Sequence, residues 1–137
     1  MIYRKLKGYK YELLEFVRHP VQLPPTPMSM SIRNYLRIES GFLVILKYYA
    51  WDGPSGPTFD TKTFMRGSLI HDALYQLMRG GYLDRKYRKY ADIVLRNICL
   101  EDGMNEFRAW YVYQAVRIFS KGCIKLSKNL RGKIIEI

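Results

Sequence analysis

His71 and Asp72 stand side by side in the run Ser68-Leu69-Ile70-His71-Asp72-Ala73-Leu74-Tyr75, and Ala91-Asp92 follows in the next amphipathic stretch. Neighbouring helical residues point about 100° apart and residues four apart share a face, so His71 and Asp72 serve adjacent directions while Tyr75 lies one turn on. An imidazole that moves a proton needs a carboxylate to fix its tautomer and stabilise its charged form. Asp92, set between Ala91 and Ile93, suits that role, since it would accept a hydrogen bond from one ring nitrogen while the other activates water. Tyr75 or Tyr90 would steady Asp92. Asp72, freed from orienting the imidazole, would face the run Trp51-Asp52-Gly53-Pro54-Ser55-Gly56-Pro57. There Gly53 and Gly56 let carbonyls turn inward and Asp52 adds a carboxylate, the hard-oxygen set of a calcium site, so Ca2+ is the expected cofactor. Each of these residues also has a structural reading. The Asp and His sit near a helix start, the Gly/Pro run is a tight connector, and tyrosines are common core aromatics with a satisfied hydroxyl.

Catalysis of this kind requires two antiparallel helices, and the sequence provides them. From about Thr63 the apolar spacing lengthens from two to roughly three and a half. A first helix is expected over 63–79, burying Ile70, Leu74, Leu77 and Met78 and ending at Gly80-Gly81. A second, over 85–100, would bury Tyr87, Ala91, Val94, Leu95 and Ile98 and stop at Asp102-Gly103. Asn105 would cap a third over 106–120, whose Phe107, Trp110, Tyr111, Val112, Tyr113, Val116 and Phe119 would pack against both others. Before the helices the pattern favours strand over 3–17, an extended connector with Pro24, Pro25 and Pro27, and a hairpin in which Ser40-Gly41 joins 35–39 to 42–49. The fold class is therefore α+β: a small antiparallel sheet, then a three-helix C-terminal half. The 137 residues are read as one domain, with a β-rich part over 1–50, a Gly/Pro loop over 51–62, helices over 63–121 and a basic tail over 122–137.

Composition narrows the partners. Lys and Arg number 23 against 12 Asp and Glu, a net charge of +11, and 15% of residues are aromatic, including 12 Tyr. An anionic partner surface follows, and phospholipid head groups, nucleic acid and an acidic protein all satisfy it. The Arg85-Lys86-Tyr87-Arg88-Lys89-Tyr90 run interleaves basic and aromatic residues as nucleic-acid binders do, but a solvated helix face gives the same pattern. Cys99 and Cys123 lie far apart with no second thiol or His at metal-ligand spacing, so neither a disulfide framework nor a zinc site is indicated, and Cys99 reads as core. The first residues lack the apolar run of a signal peptide, and no stretch is long enough to cross a bilayer, so a protein made inside the cell is expected.

The run Trp51 through Pro57, then Met65-Arg66-Gly67-Ser68 through Tyr75, then Ala91-Asp92, then Glu101-Asp102-Gly103-Met104 and Arg108-Ala109, resembles a family of small phage and prophage proteins of unknown function over about residues 48–122. Within it, His-Asp-x-x-Tyr followed on the next helix by Ala-Asp is similar to the active-site helices of phospholipase A2, especially its cysteine-poor viral forms. That likeness implies His71 as the water-activating base, Asp72 as a calcium ligand, Tyr75 as the supporting tyrosine, Asp92 as the aspartate that orients the histidine, and the stretch from Gly53 to Gly56 as the calcium loop. The chain differs from the secreted enzymes in lacking their disulfides and their tyrosine-and-glycine loop. The phage likeness implies synthesis in a bacterial host cytoplasm, incorporation in the virion, and phage structural proteins as partners.

Three function classes fit these residues. One is a calcium-dependent lipid ester hydrolase acting at a membrane, His71 activating water and the cation stabilising the oxyanion. Another is a non-catalytic virion component of tail or head, in which the His-Asp motif fixes the fold and the N-terminal and C-terminal segments bind neighbouring subunits. Nucleic-acid binding comes last, because no recognised binding module is visible.

Overall fold

A computed structural model describes residues 1–6, 11–26, 35–52 and 62–119. The chain is α+β, with two three-stranded antiparallel sheets in the N-terminal half and three helices in the C-terminal half. The first sheet has the order β1-β2-β6, formed by Tyr3–Lys5, Tyr11–Leu13 and Ala50–Trp51. In the second, β3 (Val17–Pro20) and β4 (Leu36–Glu39) flank β5 (Phe42–Ile45). The expected strand over 3–17 is thus two strands and the start of a third. The alternation is interrupted at the exposed Glu15 and Phe16, so Leu13 buries against the first sheet and Val17 begins pairing opposite Ile45 in the second. Pro20 is tolerated because β3 is an edge strand, where a missing N–H breaks no ladder.

The hairpin at Ser40-Gly41 forms as its residues require. Both take positive φ, 51° and 80°, which is the twist a two-residue connection between right-twisted strands needs. The Pro-rich connector runs without regular structure over 21–26 and is anchored at Thr26. The Thr26 backbone N–H donates to the Ile38 carbonyl at 2.9 Å, and the Ile38 N–H donates to the Thr26 hydroxyl at 3.0 Å.

The helices are α1 (Lys62–Arg79), α2 (Arg88–Glu101), preceded by a 3-10 turn over Arg85–Tyr87, and α3 (Glu106–Phe119). Gly81 leaves α1 at φ 82° and Gly103 follows α2 at φ 99°, the left-handed conformation that stops a helix without a Cβ penalty. Asn105 Oδ1 accepts the Arg108 N–H at 2.7 Å, capping α3. The main core joins Leu13, Leu36, Ile38, Leu43 and Ile45 of the sheets to Leu69, Ile70, Leu74, Leu77 and Met78 of α1 and to Ala91, Val94 and Ile98 of α2. A smaller core joins Phe64 of α1 and Leu95 and Cys99 of α2 to Met104, Ala109 and Val112.

The expectation for α3 is corrected in one respect. Its small and β-branched residues, Ala109, Val112 and Val116, face inward, whereas Phe107, Trp110 and Tyr111 are exposed.

Candidate active site

Gly67 sets the distance between α1 and α2. A Cβ placed there would lie 2.9 Å from Leu95 Cδ1, 3.0 Å from Cys99 Sγ and 3.3 Å from the Leu95 carbonyl oxygen. With α1 and α2 antiparallel, one turn forward on α1 from Gly67 meets one turn back on α2 from Leu95, which places His71 against Asp92. His71 Nε2 and Asp92 Oδ1 are 2.7 Å apart, and the Tyr75 hydroxyl donates to the same oxygen at 2.6 Å. Arg117 of α3 completes the carboxylate, its Nη1 donating to Oδ2 at 2.9 Å. Asp92 is wholly buried and His71 only 6% exposed. Each oxygen of the carboxylate therefore has a donor, as a buried charge requires.

The electrostatics follow from these contacts. Burial disfavours the imidazolium, but the nearby charges of Asp72 and Asp92 and the hydrogen bond to Asp92 outweigh it and hold the His71 pKa above its ordinary 6.5. Burial likewise opposes the Asp92 anion, yet the hydrogen bonds from His71 and Tyr75, the imidazolium charge and Arg117 keep its carboxyl below the usual value. The Tyr75 phenol is driven well up, first by burial and then by the adjoining carboxylate, so it remains a donor.

Asp72 points elsewhere. Its nearest approach to the imidazole is 3.9 Å, from Oδ1 to Nδ1, on the ring edge opposite Asp92. Burial raises the Asp72 pKa, His71 opposes this, and the charge of Asp52 adds to the rise. Both carboxylates also act on the buried Tyr49 hydroxyl, which donates to Gln76 Oε1 at 2.8 Å. Gly53 and Gly56 lie outside the described residues. Among those described, no group of three His, Cys, Asp or Glu side chains stands close enough to hold a metal ion.

Of the expected site residues, His71, Asp92 and Tyr75 come together, and Asp72 lies on the far side of the ring. Tyr90 does not reach Asp92; its hydroxyl accepts the Gln22 backbone N–H at 2.8 Å. Arg117 was not foreseen. The cue was an arginine directly after the partly buried Val116, a position that reads equally well as a cation at a helix C-terminus. Also unforeseen were two ties that hold the frame. Arg66 forks onto both Asp102 oxygens and onto Glu101 Oε2, the latter at 2.8 Å, fixing the start of α1 to the end of α2. Trp51 Nε1 donates to Ser68 Oγ at 3.1 Å, fixing β6 to α1 one turn before His71.

Comparison with protein-family profiles, curated proteins and solved structures gives no match to this chain.

Proposed function

We propose that the chain is an ester hydrolase with phospholipase A2-like chemistry, in which His71 is the general base. The observation that carries this reading is the shared oxygen of Asp92, which receives both His71 Nε2 and the Tyr75 hydroxyl at 2.7 and 2.6 Å. With the proton on Nε2, held by Asp92, the lone pair of Nδ1 is free to accept from water. That water attacks the ester carbonyl while Nδ1 takes its proton, and Asp92 stabilises the resulting imidazolium. Collapse of the tetrahedral species breaks the bond to the alkoxide, which takes the proton from Nδ1. Carboxylic acid and alcohol leave, and the imidazole is restored.

Asp72 and Asp52 are the side chains that would hold a Ca2+ ion, with backbone carbonyls near Gly53 and Gly56. Two carboxylates are the hard oxygen donors that calcium takes, and the Asp72 carboxylate stands on the Nδ1 side of the ring. When bound, such an ion supplies positive charge to the developing oxyanion. The resemblance to phage proteins favours a phage-encoded enzyme carried in the particle and acting on host lipid, and the net charge of +11 favours an anionic membrane as its workplace.

The test is fatty-acid release from phospholipid vesicles with calcium present. Activity is expected from the wild type, and His71→Gln should lower it by about three orders of magnitude or more while circular dichroism shows the fold retained. A folded wild type that releases nothing overturns the reading.

A second reading has its own observation: the Asp92 network joins all three helices, through His71 and Tyr75 of α1 and Arg117 of α3. On this reading the motif is a structural tie in a virion or assembly component. Stable incorporation of His71→Gln protein into infectious particles, with no hydrolysis by the wild type, is the outcome that selects it.

A further inference from the structure

α3 has two apolar faces, and only one of them is used. Ala109, Val112 and Val116 pack inward, while Phe107, Trp110, Tyr111 and Ile118 fall within an arc of about 100° on the other side. Their exposures are 76%, 53%, 46% and 66%. The Phe107 and Trp110 rings lie 6.2 Å apart, so the ridge is continuous at that end, and the whole face extends over roughly 16 Å. Phe107, Trp110 and Tyr111 form an aromatic cluster, Gln114 separates it from Ile118 on the same face, and exposed apolar groups gathered in this way mark a contact surface.

Charge identifies the occupant. Arg88 Nη2 donates to the carbonyl oxygens of Val116 and Arg117, so the start of α2 abuts the end of α3. Exposed Arg85, Lys86 and Lys89 lie in and beside the turn before α2, which abuts the C-terminal end of α3, and Asp84, bound to the Lys86 backbone N–H, is the neighbouring acidic residue. At the far end Glu106 is exposed, and Glu101 is tied to Arg66. The sequence that follows α3 adds Lys121, Lys125, Lys128, Arg131 and Lys133 against the single Glu136. A net charge of +11 opposes the approach of a second copy, whereas an acidic headgroup plane neutralises it. Trp, Tyr and Phe beside Lys and Arg form the side-chain set favoured where head groups meet acyl chains.

We propose that the outer face of α3, with the basic turn before α2, docks on an anionic phospholipid surface. As an account of how lipid reaches His71 this rests on the hydrolase reading, but the docking itself stands on the residues of the face. Arg117, which holds Asp92, leaves α3 from the flank between its two faces, so one helix both meets the surface and aligns the dyad.

The experiment uses full-length His71→Gln protein, and wild type with a calcium chelator, so that no lipid is consumed. Each is sedimented with vesicles of phosphatidylcholine alone or containing about one third phosphatidylglycerol. Because Trp51 is buried and Trp110 exposed, a blue shift in emission reports insertion of Trp110. Both proteins are expected to bind only the anionic vesicles, with a blue shift. Phe107→Ser combined with Ile118→Ser should weaken binding by about tenfold or more. Arg85→Glu with Lys89→Glu should abolish it at moderate salt. All four side chains are exposed, so thermal unfolding should be unchanged.

Absence of binding, or binding indifferent to both pairs of substitutions, overturns the proposal. So does a dimer in light scattering that Phe107→Ser with Ile118→Ser dissociates, which assigns the face to a second copy. Vesicle binding without wild-type hydrolysis removes the hydrolase reading alone; hydrolysis of a soluble short-chain ester without vesicle binding removes the docking alone.

Discussion

Asp92 is the residue on which the chemistry turns, because three donors from two other helices compete for one buried carboxylate. Their competition sets the basicity of His71. The charge of Asp92 stabilises the imidazolium, and Arg117 on the other oxygen partly neutralises that charge. Two substitutions should therefore move His71 in opposite directions. Asp92→Asn removes the stabilising anion, so the His71 pKa should fall, whereas Arg117→Met leaves the anion less neutralised and should raise it further. Imidazole NMR titration checks both signs whether or not the protein is active, and only two histidines need assignment. Since the base must be neutral, kcat/KM should rise with pH on the alkaline side of 6.5, its inflection following the same two shifts. Equal displacement in both variants contradicts this account of the carboxylate.

The meeting of His71 and Asp92 depends on how closely α1 and α2 approach, and Gly67 sets that approach. Gly67→Ala brings a helix-propensity gain of about 1 kcal/mol, but its methyl group meets a sulfur and a backbone oxygen that have little room to yield. The net expectation is a loss of about 1–2 kcal/mol in urea unfolding, with the His71 pKa drawn back toward 6.5 as the helices part. An Ala variant as stable as wild type, its His71 unchanged, shows that the crossing adapts without cost.

At this scale much was legible in the sequence. The Ser40-Gly41 turn, the glycines after α1 and α2, and the spacing that sets His71, Tyr75 and Asp92 along facing rods are local signals. The orientation of α3 was not, because its sequence is apolar on both sides and hydropathy does not say which side packs. The contact of Arg117 with Asp92 was equally hidden, since it depends on where a third helix lies once α2 is covered. The division of residues 3–17 between two sheets rests on pairings with Trp51 and Ile45, far along the chain.

For the whole molecule, the same network would, on the proposed hydrolase reading, make stability and catalysis favour different pH ranges. His71 has a folded pKa above its ordinary 6.5, so its contribution to stability is fully present below pH 6.5 and is lost as pH rises through the folded value. Asp92 has a depressed folded pKa; its contribution is present above the ordinary 3.8 and is lost only as pH falls through the lower folded value. The charged pair is thus strongest on the acid side of 6.5, where the imidazolium is no base, and weakens over the range in which His71 becomes one. His19, lowered by burial and by Arg66, acts with the opposite sign and below 6.5, so the two histidines are separable. Urea unfolding of the wild type should show stability falling above pH 6.5, with a slope of up to about 1.4 kcal/mol per pH unit. His71→Gln should lose that slope while keeping the His19 contribution below it. A wild-type profile that is flat or rising through this range, or a slope that survives in His71→Gln, means that the imidazole is not held charged by Asp92. It would then be a poor partner for the carboxylate in catalysis and in the folded core alike.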